Sequence, residues 1–196
     1  MIYGNYVHTK KVNLDLEKIR ESSKAMSHFI FEQFGNDEPR FSTNSPAITK
    51  LYASYNLLMY PLPEFHELFQ EICTFFKEIQ EEGDDKKYYM QCWLNIYHKG
   101  EFIDWHDHWP TASKAWHGFY CVYSGSDSGT HYRVPPDGEE YFIPSKDNFI
   151  IMSKSDGDQH KSTEWNDETN PRVTIAFDIV PRECIDGGLN HWIPIL

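Results

Sequence analysis

Residues 130–143, which read THYRVPPDGEEYFI, are the first guide to the fold. Two strand-like runs, Thr130–Val134 and Glu140–Ile143, flank the sequence Pro135-Pro136-Asp137-Gly138. β-Branched and aromatic residues favour strands, whereas Pro, Asp and Gly favour turns. The stretch therefore predicts two short strands joined by a turn.

More runs of this kind follow Gly83, with turn-forming residues at 124–129 and 155–158 between them. Many short strands with regular turns are typical of sandwiches and barrels, including jelly rolls. The further predicted strands are Lys87–His98, Trp116–Tyr123, Asn148–Met152 and Pro171–Val180.

Two segments before Gly83 predict helices. The first spans Leu14–Phe34, with Asn13 as the expected N-cap and Gly35 as the stop. The second spans Pro63–Glu82, where apolar residues recur at the i, i+3, i+4, i+7 spacing of one helical face. Such an apolar face predicts packing against a sheet.

Helices first and strands later in one chain indicate helices that buttress a sheet. We predict a mainly β fold with N-terminal helices (α+β), in which a jelly roll is buttressed by helices. The 196 residues fit a single domain, with helical support over about 1–86, a core over about 87–182 and a tail over 183–196.

Composition narrows the class of protein. Hydrophobic residues make up 40% of the chain and aromatic residues 16%, which excludes a disordered or fibrous protein. The formal net charge of −12 disfavours binding to nucleic acid or to an anionic membrane. No apolar run approaches the roughly 20 residues that span a bilayer.

The four cysteines are widely spaced and form no CxxC pair, and residues 1–12 show no signal peptide. These features predict free thiols in a reducing cytoplasm, that of the host if the chain is phage-encoded.

Among ten histidines, the pair His106 and His108 stands out. In a strand, residues i and i+2 point to the same face, about 6.6 Å apart, so two imidazoles can reach one cation. A third ligand must come from a distant segment, and His160 follows a turn shortly before the last strand-like run. The predicted metal ligands are therefore His106, His108 and His160.

These residues lie in a pattern that resembles the Fe(II)/2-oxoglutarate oxygenases of the prolyl-hydroxylase and alkylation-repair type. That family often shows Asn-x-Tyr-x-x-Gly, five residues, then His-x-Asp. This chain has Asn95, Tyr97, Gly100, His106 and His108 at those spacings. The likeness covers about half the chain and is greatest to phage and bacterial oxygenases with an HxH variant.

The resemblance implies a double-stranded β-helix that binds Fe(II), 2-oxoglutarate and O₂. It further implies that Arg172 holds the distal carboxylate of 2-oxoglutarate, with help from Asn95, Tyr97 and a tyrosine of the next strand, for which Tyr123 is favoured over Tyr120. The implied activity is oxidative decarboxylation of 2-oxoglutarate coupled to hydroxylation of a peptidyl residue or small molecule, without a catalytic side chain beyond the metal centre.

The chain departs from the family pattern at His108, where a carboxylate is expected. Asp107 is adjacent but points to the opposite face of a regular strand, and a bulge could exchange the two. A neutral imidazole leaves the site one unit more positive and suits other divalent metals as well.

Two alternatives remain open. Gly100 with the HxH pair, and Gly157 with His160, also match a three-histidine cupin, which would be a dioxygenase or isomerase. The acid that cupins usually carry after this pair is missing from residues 109–118. The second alternative is a non-catalytic jelly-roll module that binds a partner, since one fold hosts many roles.

The tail ends in Trp192-Ile193-Pro194-Ile195-Leu196. This apolar segment is expected to dock on the core or on a second subunit, which leaves a homodimer open.

Overall fold

The computed structural model describes residues 1–35, 48–125 and 127–195. Two helices and ten strands form the framework. The helices are α1 (Leu16–Phe34) and α2 (Pro63–Ile79). The strands are β1 (Ile2–Tyr3), β2 (Val7–Lys11), β3 (Tyr88–Tyr97), β4 (Trp116–Tyr123), β5 (Gly129–Val134), β6 (Glu139–Pro144), β7 (Phe149–Lys154), β8 (Gln159–Ser162), β9 (Arg172–Pro181) and β10 (Ile193–Pro194).

The strands form two sheets. The major sheet has the order β1-β2-β7-β4-β9-β3-β10, and the minor sheet has the order β6-β5-β8. All six strands predicted from the sequence are present, within about two residues at each end. The structure thus confirms the mainly β jelly-roll prediction.

Four strands escaped prediction for identifiable reasons. β1 and β10 have only two residues each, so no alternation can be seen. β2 reads VHTKK and β8 reads QHKS, which are polar segments without a β-like hydrophobic pattern. Because β2 pairs with β7, part of the segment predicted as helical support belongs to the major sheet.

The first helix begins two residues later than predicted, and its cap is Asp15 instead of Asn13. The Asp15 carboxylate accepts a hydrogen bond from the backbone N–H of Lys18 at 3.2 Å. Asp and Asn cap helices about equally well, so composition alone did not separate the two sites. The helix ends at Gly35, as expected.

The second helix packs its aromatic face on the major sheet. Phe76 is 1% exposed, and its ring meets Tyr88 at 4.9 Å and Trp116 at 5.9 Å between centroids. Both contacts are edge-to-face, an arrangement that aromatic rings prefer. The apolar stripe therefore has the packing role that its spacing predicted.

The opposite face of the major sheet is more polar. In the centre of that sheet, β9 pairs with β3 and with β4, and Tyr97 stands opposite Arg172 while Asn95 stands opposite Thr174. These side chains point away from the helices, because successive residues of a strand alternate between faces. The polar face is thus directed toward the minor sheet.

The C-terminal tail docks on the core of the same chain. Ile193 pairs with Met90 of β3, and the backbone N–H of Ile195 donates to the carbonyl of Tyr88 at 2.9 Å. Of the two expected positions of the tail, the structure has the first.

Within the described ranges, neither helix combines the length and the apolar character needed to cross a membrane. All four cysteines are free thiols, as predicted.

We predict that Phe76→Ala lowers the free energy of unfolding by about 3–5 kcal/mol, because it removes a buried ring and leaves a cavity. Phe69→Ala, at a half-buried position on the same helix, is the matched control and should cost clearly less. Urea denaturation followed by circular dichroism measures both. Equal losses in the two variants would contradict the packing described for Phe76.

Candidate metal and co-substrate site

A cavity of about 410 Å³ lies between the polar face of the major sheet and the minor sheet. The major sheet contributes side chains from β3, β4 and β9, and the minor sheet contributes Thr130, His160 and Ser162. The loop after β3 closes the side of the cavity and carries His106 and His108.

The three histidines predicted as metal ligands meet in this cavity. His106, His108 and His160 each present a ring nitrogen within 4.8 Å of the others. The ring centroid of His160 lies 4.1 Å from that of His106 and 5.1 Å from that of His108. Three converging imidazole nitrogens form a donor set that suits a divalent transition metal.

The backbone brings the distant histidine to the pair. His106 and His160 exchange two backbone hydrogen bonds, of 3.1 and 2.9 Å, which form an isolated β-bridge. Next to it, the backbone N–H of Ser162 donates to the carbonyl of Ile103 at 3.0 Å. The loop is therefore attached to β8 at the ligand position itself.

The regular strand assumed for the HxH pair is not present, since the segment makes only this single bridge. His106 and His108 nevertheless share one side, while Asp107 is exposed and lies outside the cluster. The histidine, and not the neighbouring aspartate, faces the proposed metal position.

The electrostatics favour a neutral ring at His106 and at His160, whereas at His108 burial is outweighed by the neighbouring Asp178, which raises the pKa of that ring. Burial, together with the neighbouring His108, lowers the pKa of His106 to about 4. Burial and the three neighbouring histidines hold the pKa of His160 well below its ordinary value. Neutral rings carry the lone pair that a metal needs.

Hydrogen bonds orient these rings. His106 Nδ1 donates to the carbonyl of Asp104 at 2.7 Å, so Nε2 is the acceptor nitrogen of this neutral ring. The buried Nδ1 of His160 has no hydrogen-bond partner among the described residues. An orphaned buried nitrogen beside two other imidazoles fits a bound cation.

Two carboxylates behind the histidines, the partly buried Asp178 and the buried Asp158, were missed by sequence reasoning. Asp178 Oδ1 lies 2.6 Å from His108 Nδ1, and its Oδ2 accepts from the indole N–H of Trp109 at 2.9 Å. Asp158 Oδ2 accepts from His117 Nε2 at 2.8 Å and from the Ser153 hydroxyl at 2.9 Å. A polar residue on a buried strand, in phase with Arg172, is the signal that could have revealed Asp178.

Both carboxylates are held in the charged form. Burial alone would raise the pKa of Asp178, but the neighbouring His108 and the hydrogen bonds it receives lower the pKa below its ordinary value. The pKa of Asp158 is lowered in the same way, with His117 as the main partner opposing burial.

His117, Asp158 and His160 form a second group of ligand-type atoms within 4.8 Å of one another. All three side chains are buried, and His160 is shared with the first group. Within this group His117 and Asp158 are hydrogen-bonded to each other at 2.8 Å.

Arg172 lies in the same cavity and is 2% exposed. Its guanidinium donates one hydrogen bond of ordinary length, 3.1 Å to the neutral Ser145 hydroxyl, and makes two long contacts of 3.5 Å, to Thr130 Oγ1 and to the Gly129 carbonyl. Its Nε has no partner, and no carboxylate of the described residues forms an ion pair with it. A buried cation with such weak partners is costly unless an anion joins it.

Asn95 and Tyr97 also line the cavity, on the strand paired with that of Arg172. The Arg172 guanidinium carbon lies 5.2 Å from the centroid of the Tyr97 ring. Asn95 Oδ1 is buried without a partner among the described residues. Both side chains are therefore close to the unpaired guanidinium.

Tyr123 lies elsewhere. It lines a separate surface depression with Lys146 and Asp147, and its ring packs against Trp165 at 6.3 Å. The pairing of β4 with β9 shifts register between Cys121 and Tyr123, so the face shared with Phe119 is lost at this irregularity. Tyr123 therefore lies outside the cavity that contains the three histidines and Arg172, contrary to the expectation that it assists the co-substrate.

Comparison with known proteins gives a fold and no sequence relative. Neither the family models nor the curated proteins gave a match to this sequence.

Solved structures are similar over most of the chain. A prolyl-4-hydroxylase from Pseudomonas putida is 12% identical, with a TM-score of 0.57 over 90% of this chain and 93% of that one. The non-haem α-ketoglutarate-dependent carbocyclase SnoK of nogalamycin biosynthesis is 7% identical, with a TM-score of 0.62 over 97% of this chain and 92% of that one.

A third similar structure is the non-haem α-ketoglutarate-dependent epimerase SnoN of the same biosynthesis. It is 10% identical, with a TM-score of 0.59 over 89% of this chain and 77% of that one. At the level of the fold, these structures confirm the resemblance seen in the sequence. The chain has the same jelly-roll fold as these solved structures.

Proposed function

We propose that this chain is a non-haem oxidoreductase that uses Fe(II), 2-oxoglutarate and O₂ to hydroxylate a peptidyl residue or a small molecule. The observation that carries the proposal is the buried Arg172 guanidinium, without a carboxylate partner among the described residues, in the same cavity as three converging imidazoles. One cavity thus offers a place for a metal and a place for an organic anion.

The donor chemistry fits the metal. His106, His108 and His160 would hold the ion, since their nitrogens converge and burial keeps two of the rings neutral. When bound, Fe(II) supplies the activation of O₂, which protein side chains cannot provide. In the overall reaction 2-oxoglutarate is converted to succinate and CO₂, and one oxygen atom enters the substrate.

The protein groups supply binding and orientation. Arg172 would hold the distal carboxylate of 2-oxoglutarate by two parallel charge-assisted hydrogen bonds. Tyr97 and Asn95 would donate further hydrogen bonds to the same co-substrate from β3. The surrounding aromatic side chains of the cavity, including Trp93 and Phe119, would exclude water from the reacting groups.

Hydroxylation is the finer part of the proposal. The similar structures include a hydroxylase, a carbocyclase and an epimerase, so the same fold serves different outcomes on the primary substrate. The proposal includes decarboxylation of 2-oxoglutarate for any primary substrate, so this is the reaction to measure first.

The three-histidine cupin is the second candidate, favoured by the all-imidazole donor set at 106, 108 and 160. A cupin of this kind gives no role to the buried Arg172, which has no carboxylate partner among the described residues. A charge-transfer band on addition of 2-oxoglutarate to the anaerobic Fe(II) protein separates the two, since it requires 2-oxoglutarate to bind the metal.

We predict that His106→Ala or His108→Ala weakens divalent metal binding by more than about 100-fold, beyond the effect of removing an outer-shell partner. Anaerobic titration with Co²⁺ measures the affinity. His131→Ala, on the outer face of β5 against Phe142, is the matched control and should bind Co²⁺ as the wild type does. If His117→Ala and Asp158→Asn abolish binding while His108→Ala does not, the metal belongs to the second group.

We predict that Arg172→Ala raises the KM for 2-oxoglutarate by about 100-fold, because two charge-assisted hydrogen bonds contribute about 3 kcal/mol at the lower end. Arg172→Lys keeps the charge without the planar fork and should lose about 10-fold. Succinate formation is the measurement.

The preference between two co-substrates distinguishes a loss of carboxylate binding from a folding defect. The wild type should prefer 2-oxoglutarate over 2-oxobutyrate, which lacks the distal carboxylate, and Arg172→Ala should lose that preference. An unchanged preference in a folded variant would show that the carboxylate binds elsewhere.

We predict that Tyr97→Phe raises the KM for 2-oxoglutarate by a few-fold up to about 10-fold, the range expected for one lost hydrogen bond. Tyr123→Phe is the control, because that side chain lies outside the cavity, and it should leave the KM unchanged. The opposite order of effects would restore Tyr123 as the co-substrate ligand.

A further inference from the structure

The three proposed ligands do not compensate the positive charge of a bound divalent metal. Three neutral imidazoles bring no negative charge to a divalent cation, whereas a two-histidine-one-carboxylate set brings one. Uncompensated charge in a buried cavity is costly. A nearby fixed anion would therefore stabilise the bound metal.

Asp178 is such an anion, and it is hydrogen-bonded to His108, one of the three proposed ligands. Its side chain is 13% exposed, and Oδ1 lies 2.6 Å from His108 Nδ1. A carboxylate can only accept, so Nδ1 carries a proton, and Nε2 is the nitrogen through which the neutral ring can bind a metal. The contact fixes both the tautomer and the orientation of the ring.

The second oxygen of Asp178 is held independently. Trp109 donates its indole N–H to Oδ2 at 2.9 Å, so both oxygens have a fixed partner. His117 on β4 and Gln91 on β3 are the residues opposite Asp178 in the sheet. The carboxylate is thus confined on the cavity side of the central strand.

Resting on the function proposed above, we infer that Asp178 is a positioning residue that supplies, through His108, the negative charge that the ligand set lacks. The family pattern expects the carboxylate as a direct ligand at residue 108. In this chain the carboxylate belongs to Asp178, and the imidazole of His108 lies between this carboxylate and the metal position. Partners of this kind raise the basicity of a ligating histidine and fix its geometry.

Asp178→Asn, which keeps the size and removes the charge, should weaken Co²⁺ binding by about 10–100-fold. Asp147→Asn is the matched control, because Asp147 is a partly buried carboxylate whose two oxygens also have fixed partners, Arg20 and the backbone N–H of Ser124, and it lies outside the cavity. It should change the affinity by less than about 3-fold. Competition against a chromophoric chelator gives the affinities, and the melting temperature of the metal-free protein checks folding.

A double-mutant comparison distinguishes this role from a merely structural one. In a His108→Asp background the direct carboxylate is restored, so Asp178→Asn should change Co²⁺ affinity by less than about 3-fold. If Asp178 served only to hold Trp109 and the loop, its loss would cost the same affinity in both backgrounds. Equal losses would therefore overturn the inference.

The outcomes also separate this inference from the proposed function. Loss of metal in His108→Ala with wild-type affinity in Asp178→Asn would refute the role of Asp178 and leave the triad standing. Wild-type affinity in His108→Ala would refute the triad and, with it, the inference. Weaker binding in Asp158→Asn than in Asp178→Asn would also overturn it and assign the carboxylate role to the second group.

Discussion

The pairing of β9 with β3 on one side and β4 on the other is the constraint on which the site depends. Residues of β9 alternate between the helix side and the cavity side, and the register with β3 runs unbroken over ten pairs. Arg172, Thr174 and Asp178 all fall on the cavity side. A register shift of one residue would turn Arg172 and Asp178 toward the helices. The burial of the hydrophobic face of β9 therefore also determines which polar side chains face the cavity.

The two charges on this strand are separated by six residues, or about 20 Å of extended chain. Arg172 at one end has no anionic partner among the described residues, while Asp178 at the other is hydrogen-bonded to a proposed metal ligand. One strand therefore carries a cation where the co-substrate would bind and an anion where the metal would bind. Such separation avoids a direct Arg–Asp pair, which would neutralise both groups and leave neither for a ligand.

Much of the fold could be predicted from local patterns. The apolar stripe of α2 reflects burial of one helical face, and β3, β4 and β9 are apolar and aromatic runs bounded by turn residues because they are buried almost throughout. β8 was missed because its four residues are polar and pair within a small sheet, and the Asn13 cap was wrong because Asp15 offers an equivalent acceptor. These errors concern short segments whose structure is set by tertiary pairing.

The site could be predicted where spacing along the chain determines it, and not where pairing across the sheet does. His106 and His108 lie two residues apart, and Arg172 begins the last predicted long strand, where the resemblance implies a ligand for the co-substrate carboxylate, so the pair and Arg172 could be proposed from the sequence. The contacts of Asp178 with His108 and of Asp158 with His117 join residues 70 and 41 positions apart. Tyr123 failed for a related reason, since one irregularity in the pairing of β4 turns a side chain from one pocket to another.

The position of the carboxylate has a consequence for the ligand set. A direct carboxylate ligand neutralises part of the metal charge at the metal itself, whereas a carboxylate behind an imidazole does so through a hydrogen bond and leaves the donor atom a nitrogen. Nitrogen donors bind several divalent metals well, so geometry and the surrounding charges must contribute more to selectivity. The partly buried His108–Asp178 pair, with Trp109 on the second oxygen of Asp178, provides both a fixed ring orientation and a fixed charge. His108 and Asp178 would therefore act as one unit, in which His108 provides the nitrogen donor and Asp178 provides the negative charge that an imidazole lacks.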